Sequence, residues 1–197
     1  MDTNVLNKIE EQKLIVIISA QRHGSTTLCR KFDNHPQCVC LFEAFGPGGR
    51  LSGFSTDTDL EEHIRSVIKS HDWMQKKYLV IKIFLGHNIS LKQILDLNYE
   101  TNFIFLRRNL LDSYNSYKKA LLSGNWGTTP NRQKNGKGQT NYTKPSGEIK
   151  RYTDYAHELT NFFDNNKKIL NEKHIKYDEV WFGEVISDSF EISKYLK

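Results

Sequence analysis

The segment LIVIISAQRHGSTTL, residues 14–28, decides the fold of this chain. It begins with Leu14–Ser19, a continuous run of mostly β-branched aliphatic residues that is typical of a strand buried on both faces. A short polar turn with a single glycine, Gly24, follows the strand, and the pattern predicts a helix directly after it. A buried strand that leads through a short turn into a helix is typical of a parallel α/β sheet.

Further strand and helix patterns alternate along the rest of the chain. Apolar runs predict strands at Leu14–Ser19, Cys38–Phe42, Tyr78–Phe84 and Asn102–Leu106, with a weaker fifth at His174–Tyr177. Periodic apolar residues predict helices at Thr26–Asp33, Leu60–Ser70, Ser90–Leu97, Leu110–Leu122 and Glu148–Asn171, and a short one near Phe190–Leu196. Because crossovers between parallel strands are right-handed, the alternation predicts an α/β fold: a three-layer, mostly parallel sheet of about five strands with helices on both faces.

Length and charge limit the number of domains and the class of partner. The chain has 197 residues, which predicts a single domain, residues 1–197. Its net charge is +5, and between Lys118 and Arg151 there are eight basic residues against one acid, Glu148. We therefore expect a long basic loop at residues 123–147. Such a loop suits an anionic partner, such as a nucleotide, a nucleic acid or an acidic substrate, and a merely solvated loop fits the charge equally well.

The sequence also bears on the compartment. The longest apolar run, Leu14–Ile18, is far shorter than the about 20 residues of a membrane-spanning helix. The amino-terminal segment is polar and acidic, which predicts neither a signal peptide nor a transit peptide. The three cysteines, Cys29, Cys38 and Cys40, are an odd number and favour a reducing compartment. We therefore expect a cytoplasmic protein with no membrane partner.

The turn after the first strand has the composition of an anion site. In a parallel sheet, ligands bind at the carboxyl ends of the strands, where a helix that begins offers N–H groups and a partial positive charge. Gly24 allows the backbone to approach a ligand closely, the hydroxyls of Ser25–Thr27 add donors, and Arg22 adds a charge. The turn therefore predicts a phosphate or sulfate site, with ordinary helix capping by Ser and Thr as the structural alternative.

A magnesium-dependent triphosphate site fits this turn poorly. The loop of nucleoside triphosphatases has the pattern GxxxxGK[ST], in which the lysine reaches the β- and γ-phosphates. Here Ser19 stands at the position of the first glycine and Ser25 at that of the lysine. The strand Asn102–Leu106 leads into Arg107 and Arg108, and no acid that could hold Mg²⁺ follows it directly. The residues favour a metal-free anion site built from arginine, hydroxyls and backbone amides.

Four segments extend this pattern along the chain: Gln21–Leu28, the HPQ and LFEAF stretches within His35–Phe45, Phe105–Ser116, and Tyr177–Glu179. In the third, an arginine ends a strand and a serine follows eight positions later on the next helix. In the same order, the segments resemble four motifs of sulfotransferases that use 3′-phosphoadenosine 5′-phosphosulfate (PAPS). These motifs are the 5′-phosphosulfate loop, the HP…E-x-F segment, the 3′-phosphate motif and the YED element. The closest likeness is to short bacterial-type members with a glutamate base, and the family has a P-loop-like fold.

The resemblance implies a set of nucleotide-binding residues. The residues that would bind the 5′-phosphosulfate are Arg22, His23, Gly24, Ser25, Thr26 and Thr27. Arg108 and Ser116 would bind the 3′-phosphate, and Tyr177 would pack near the adenine.

The resemblance also implies catalytic roles. Arg22 would stabilise the charge on the leaving oxygen, and Glu43 would take the proton of the acceptor, with His87 as the alternative base. The chain departs from the family pattern at two places. His23 replaces a usual Ser or Thr in the loop, and Phe84 stands where the animal cytosolic enzymes have their histidine base.

The implied function is the transfer of a sulfonate group from PAPS to a hydroxyl or amine of a small-molecule or glycan acceptor, which leaves PAP as product. No metal is expected. Two other classes stay open. One is a P-loop-type nucleotide or small-molecule kinase. The other is a basic, non-enzymatic nucleic-acid-binding domain, for which the sequence carries no DNA- or RNA-binding motif.

Overall fold

The structure, a computed structural model, describes residues 12–42, 45, 60–70, 73, 75–87, 89–97, 99–124 and 149–196. Within these ranges, five strands form one sheet in the order β2-β3-β1-β4-β5, and every neighbouring pair is parallel. The strands are β1 (Lys13–Ser19), β2 (Cys38–Cys40), β3 (Tyr78–Phe84), β4 (Thr101–Arg107) and β5 (Tyr177–Trp181). The predicted parallel α/β sheet is therefore confirmed.

Helices cover both faces of this sheet. The described helices are α1 (Ser25–Asp33), α2 (Leu60–Ser70), α3 (Leu91–Leu95), α4 (Leu110–Ser123), α5 (Tyr152–Glu172) and α6 (Phe182–Val185), with a 3₁₀ turn at Ser193–Tyr195. Alternate residues of β1 point to opposite sides of the sheet. Val16 packs with residues of α2, α3 and α5, whereas Ile17 packs with residues of α1, α6 and the 3₁₀ turn. The three-layer arrangement is thus as predicted.

The position of β1 determines where a ligand can bind. It lies at the centre of the sheet, paired with β3 on one side and β4 on the other, so the chain crosses over β1 when it passes from β3 to β4. In register, Ser19 lies opposite Phe84, and Ile18 opposite Phe105. The segments that follow β1, β3 and β4 therefore meet at one edge, which is the usual ligand site of parallel sheets.

The last strand differs from its prediction. We expected it at His174–Tyr177, but β5 spans Tyr177–Trp181. His174 instead ends α5 in a left-handed conformation (φ 55°), and the N–H of Ile175 donates to the carbonyl of Leu170 at 2.9 Å. This is the usual bond of a helix terminus, in which a glycine more often takes the left-handed position. The predicted helix end, Asn171, lies one residue from the observed end at Glu172, but the left-handed turn at His174 delays the start of the strand.

Other elements also differ from their predictions. The second strand ends at Cys40 rather than Phe42, because Phe42 adopts a left-handed backbone (φ 51°) that breaks the extended run. The four-residue helix α6 was not predicted.

Residues 125–148, which hold most of the predicted basic loop, lie outside the described residues, as does Glu43. Among the helices that the structure describes, none combines the length and apolar character needed to cross a bilayer.

Candidate functional site

The turn between β1 and α1 has the backbone of a tight cradle. Arg22 and Gly24 both have positive φ angles, 68° and 86°, and Gly24 is the N-cap of α1. A Cβ atom built on Gly24 would overlap the ring of Phe182, which follows β5. Two features therefore require glycine at position 24: the left-handed backbone conformation, and the close approach of Phe182, which leaves no room for a side chain.

The start of α1 is open to an anion. Its N-cap residue, Gly24, has no side chain to cap the N-terminus, and no acid lies in its first turn. Ser25 is buried there, whereas Thr26 and Thr27 are half-buried. Unsatisfied N–H groups and the helix dipole at such an end favour negative charge, and the neighbouring hydroxyls can donate as well.

Arg22 and the segment after β4 are joined directly. The Nε of Arg22 donates to Ser116 Oγ at 3.0 Å, and a terminal nitrogen of Arg108 donates to the Arg22 carbonyl at 2.8 Å. The guanidinium of Arg108 also lies over the Phe182 ring, 4.8 Å from its centroid. The predicted 5′-phosphosulfate and 3′-phosphate residues thus form one continuous cluster.

The electrostatics of this cluster favour an anionic ligand. Burial, followed by the positive charge of Arg108, lowers the pKa of the Arg22 guanidinium below its ordinary value. Among the described residues, no ion pair involves Arg108. Two guanidinium groups brought together at a partly buried edge repel each other, and a bound phosphate or sulfate would relieve that repulsion.

His23 points away from the mouth of the turn. Its ring is fully buried and packs 5.7 Å from the Phe163 ring, and Nδ1 lies 3.3 Å from the carbonyl of Leu106. A carbonyl can only accept, so Nδ1 carries the proton of the neutral ring. Burial is the main cause that lowers the pKa of His23 to about 4. The imidazole therefore ties the turn to the end of β4, rather than offering a ligand the donor that the resemblance implied.

Lys82 brings an ammonium group to the same cradle from the neighbouring strand. It is fully buried within β3, its Nζ is 3.5 Å from Thr26 Oγ1 and 4.9 Å from the centroid of Phe84. The turn itself contains no lysine, and Lys82 on β3 supplies an ammonium group to it instead. The residue was identifiable in the sequence only as a lysine within an apolar strand, a position that requires a polar partner.

Tyr177 is not brought to the cradle. It begins β5 opposite Phe103, and its ring packs edge-on against Phe105 with centroids 5.0 Å apart. The aromatic residue that follows β5 at the carboxyl edge is Phe182, two positions before Glu184. The predicted strand ended at Tyr177, whereas β5 begins there, so Tyr177 lies at the end of the strand that is remote from the cradle.

The fold is similar to that of a bacterial sulfotransferase. The crystal structure of a sulfotransferase from Alicyclobacillus acidocaldarius matches with a TM-score of 0.53 and 17% sequence identity. The match covers 90% of this chain and 76% of that chain. No family model and no curated protein matches the sequence. The similarity concerns the fold, and it confirms the P-loop-like α/β architecture that the sequence predicted.

His87 lies just after β3, at the same edge of the sheet as the cradle. The backbone N–H of Phe84 donates to its Nδ1 at 3.3 Å, so the neutral ring carries its proton on Nε2. The ring lies between Phe84 and Phe45, with centroid distances of 5.0 and 6.4 Å. In this arrangement Nδ1 of His87 accepts a hydrogen bond and has no free lone pair.

Proposed function

We propose that this protein is a sulfotransferase that moves a sulfonate group from PAPS to a hydroxyl or amine of a small-molecule or glycan acceptor. The observation that carries the proposal is the joined cluster of Arg22, Arg108 and Ser116 at the open start of α1. Its donors suit two phosphate groups of one nucleotide, and the sulfotransferase-like fold supports the same assignment.

The cradle would hold the 5′-phosphosulfate. The nucleotide supplies the sulfonate, whose bond to the phosphate oxygen breaks as a bond to the acceptor oxygen or nitrogen forms. The N–H groups at the start of α1 and the hydroxyls of Ser25–Thr27 would bind the anionic oxygens. Arg22 and the ammonium of Lys82 would stabilise the negative charge that develops on the phosphate side, which is commonly the largest contribution to such catalysis.

Arg108 and Ser116 would bind the 3′-phosphate. Arg108 lies after β4 and Ser116 on α4, so both approach the cradle from the side opposite to β3. Ser116 Oγ accepts from Arg22, and its own proton can still be donated to a phosphate oxygen. We infer that this pair selects nucleotides that carry a 3′-phosphate.

Glu43 is our proposed base for the acceptor proton. It follows β2 in the chain, and the carboxyl ends of β2 and β1 lie at the same edge of the sheet. The alternative base, His87, is less suited in the observed arrangement, because its Nδ1 already accepts the Phe84 N–H.

A kinase is the second candidate, and the position of Lys82 is the observation that favours it. An ammonium group 3.5 Å from Thr26 Oγ1 imitates the lysine of a triphosphate loop. The described ends of β3 and β4, however, lead into Leu85–Gly86 and Arg108–Asn109, none of them an acidic ligand for Mg²⁺. This is the reason for preferring metal-independent sulfonate transfer.

Ligand-induced thermal stabilisation separates the two functions. A ligand that binds the folded state raises the melting temperature by mass action. We expect PAP to stabilise the protein in the presence of EDTA, more strongly than AMP at the same concentration. Stabilisation by ATP with Mg²⁺ but not by PAP would assign the kinase instead.

A further inference from the structure

Helix α4 directs two serines toward the cradle, one turn apart. Ser116 accepts the hydrogen bond from Arg22, and Ser113 is fully buried one turn earlier. The Oγ of Ser113 lies 2.7 Å from the hydroxyl oxygen of Tyr155, which is on α5. Ser116, which contacts Arg22, and Ser113, which contacts Tyr155, are thus neighbours on one face of α4.

The ring of Tyr155 is fixed beside the turn. It packs with Ala20, the residue between β1 and the turn, and it is itself almost fully buried. The ring of Tyr117 stacks on it with centroids 5.3 Å apart, and the ring of Tyr114 lies at 5.5 Å. With the ring held on several sides and Ser113 at the hydroxyl, the position of the hydroxyl is fixed as well.

The positive charges of Arg22 and Arg108 also act on this hydroxyl. Burial is the largest influence and raises the pKa of Tyr155, while the hydrogen bond with Ser113 and the charges of Arg108 and Arg22 offset part of that effect. The group therefore stays protonated at neutral pH. A guanidinium has no lone pair, so neither arginine can accept a proton from the Ser113–Tyr155 pair, whereas an anionic oxygen can.

We propose that Tyr155, positioned by Ser113, is a third ligand of the 3′-phosphate beside Arg108 and Ser116, and that it adds to the preference for nucleotides with that phosphate. This inference rests on the proposed function, since it assigns a further residue to the same nucleotide. The simpler role of Tyr155 is packing between α4, α5 and the turn, and the two roles predict different binding data.

Calorimetric titration of PAP and AMP distinguishes them. Tyr155→Phe keeps the ring and removes only the hydroxyl. We expect it to weaken PAP about tenfold, as for one lost hydrogen bond to a charged group, and to leave AMP unchanged. The matched control is Tyr114→Phe, whose hydroxyl donates to the carbonyl of Lys150 at 2.8 Å. That variant should bind both nucleotides like the wild type.

An unchanged ratio of PAP to AMP affinity in Tyr155→Phe would overturn the inference, and so would an equal loss for both nucleotides. Should Tyr155→Phe fail to fold, Ser113→Ala carries the test, because it keeps the tyrosine and removes the partner that positions it. We expect about a threefold loss for PAP alone, and an unchanged ratio would again overturn the inference. A wild-type protein that does not prefer PAP over AMP would contradict the proposed function itself.

Discussion

The Nε of Arg22 donates to Ser116 Oγ at 3.0 Å, although the two residues are 94 positions apart in the sequence. One belongs to the turn after β1 and the other to the second turn of α4. This contact joins the turn after β1 to the β4–α4 segment through protein atoms, although the two motifs resemble separate phosphate-binding sites. The distance between the two phosphate subsites is therefore set by the sheet, since β1 and β4 are adjacent strands.

The first prediction concerns Arg108. Replacement of Arg108 by alanine should weaken PAP by roughly 2–3 kcal/mol, because a charge-assisted hydrogen bond to phosphate is lost. AMP, which lacks the 3′-phosphate, should be affected far less. The measurement is calorimetric titration of both nucleotides, with Arg151→Ala as control, since that exposed arginine pairs with Asp154 at 2.9 Å on α5. Equal losses for PAP and AMP would refute the assignment of Arg108 to the 3′-phosphate.

The second prediction concerns Gly24. Alanine there should destabilise the protein through both the left-handed backbone and the overlap with Phe182. The backbone contribution is about 1–2 kcal/mol, and overpacking adds about 1–3 kcal/mol. Gly124→Ala is the matched control, because Gly124 also has a positive φ of 68°, and no atom of the described residues lies within 4 Å of an added Cβ. Denaturant unfolding should show a larger loss for Gly24→Ala, and equal losses would mean that Phe182 does not restrict this position.

The third prediction concerns the pH dependence of stability. The folded pKa of His23 is about 4, against an ordinary value of 6.5. The unfolded state therefore takes up a proton at higher pH than the folded state. The His23 contribution to stability is fully present above pH 6.5 and is lost as the pH falls toward 4. That loss amounts to roughly 3 kcal/mol, and the midpoint of thermal unfolding should fall over the same interval.

The control for this effect is His23→Asn. Its amide can still donate to the Leu106 carbonyl but cannot titrate, so the variant should lose stability less steeply between pH 6.5 and 4. Comparison of the two pH curves removes the contribution of all other titrating groups. Parallel curves would show that His23 does not remain neutral within the fold.

The fourth prediction concerns the base. Glu43→Gln should retain PAP binding and slow sulfonate transfer by about 10²–10⁴-fold, because the amide keeps the size of the carboxylate but cannot take a proton. His87→Gln should have a smaller effect, since Nδ1 of the observed ring already accepts the Phe84 N–H. The measurement is PAP release from PAPS at saturating donor. Wild-type turnover in Glu43→Gln together with an inactive His87→Gln would make His87 the base.

Local patterns predicted most of the fold. Continuous apolar runs mark β1 and β3 because both strands are buried on their two faces, and β3 coincides with its prediction. In β5, which lies at the sheet edge, only Val180 is buried. The exposed Asp178 and Glu179 make this strand difficult to recognise in the sequence. An edge strand needs fewer apolar residues, so it leaves a weaker signal in the sequence.

The site was predictable where a motif is local and not where contacts are distant. Arg22 and Gly24 lie in one turn, and the spacing of Arg108 and Ser116 follows from a strand end and the next helix. Lys82 reaches the cradle from β3 and could be singled out in the sequence as a lysine inside an apolar strand. Tyr155 reaches it from α5, and no short-range pattern indicates that contact. For the same reason, the inward orientation of His23 toward Phe163 became visible only in three dimensions.

The most direct test of the central claim is a crystal structure of the protein with PAP bound. We predict the 5′-phosphate at the N–H groups of the α1 start, and the 3′-phosphate within about 3 Å of Arg108 and Ser116. PAP bound elsewhere would contradict the account. One such place is the cavity at the other end of β4 and β5, which Asn102, His174 and Tyr195 line. A 3′-phosphate that points into solvent, with Arg108 still over Phe182, would contradict it as well.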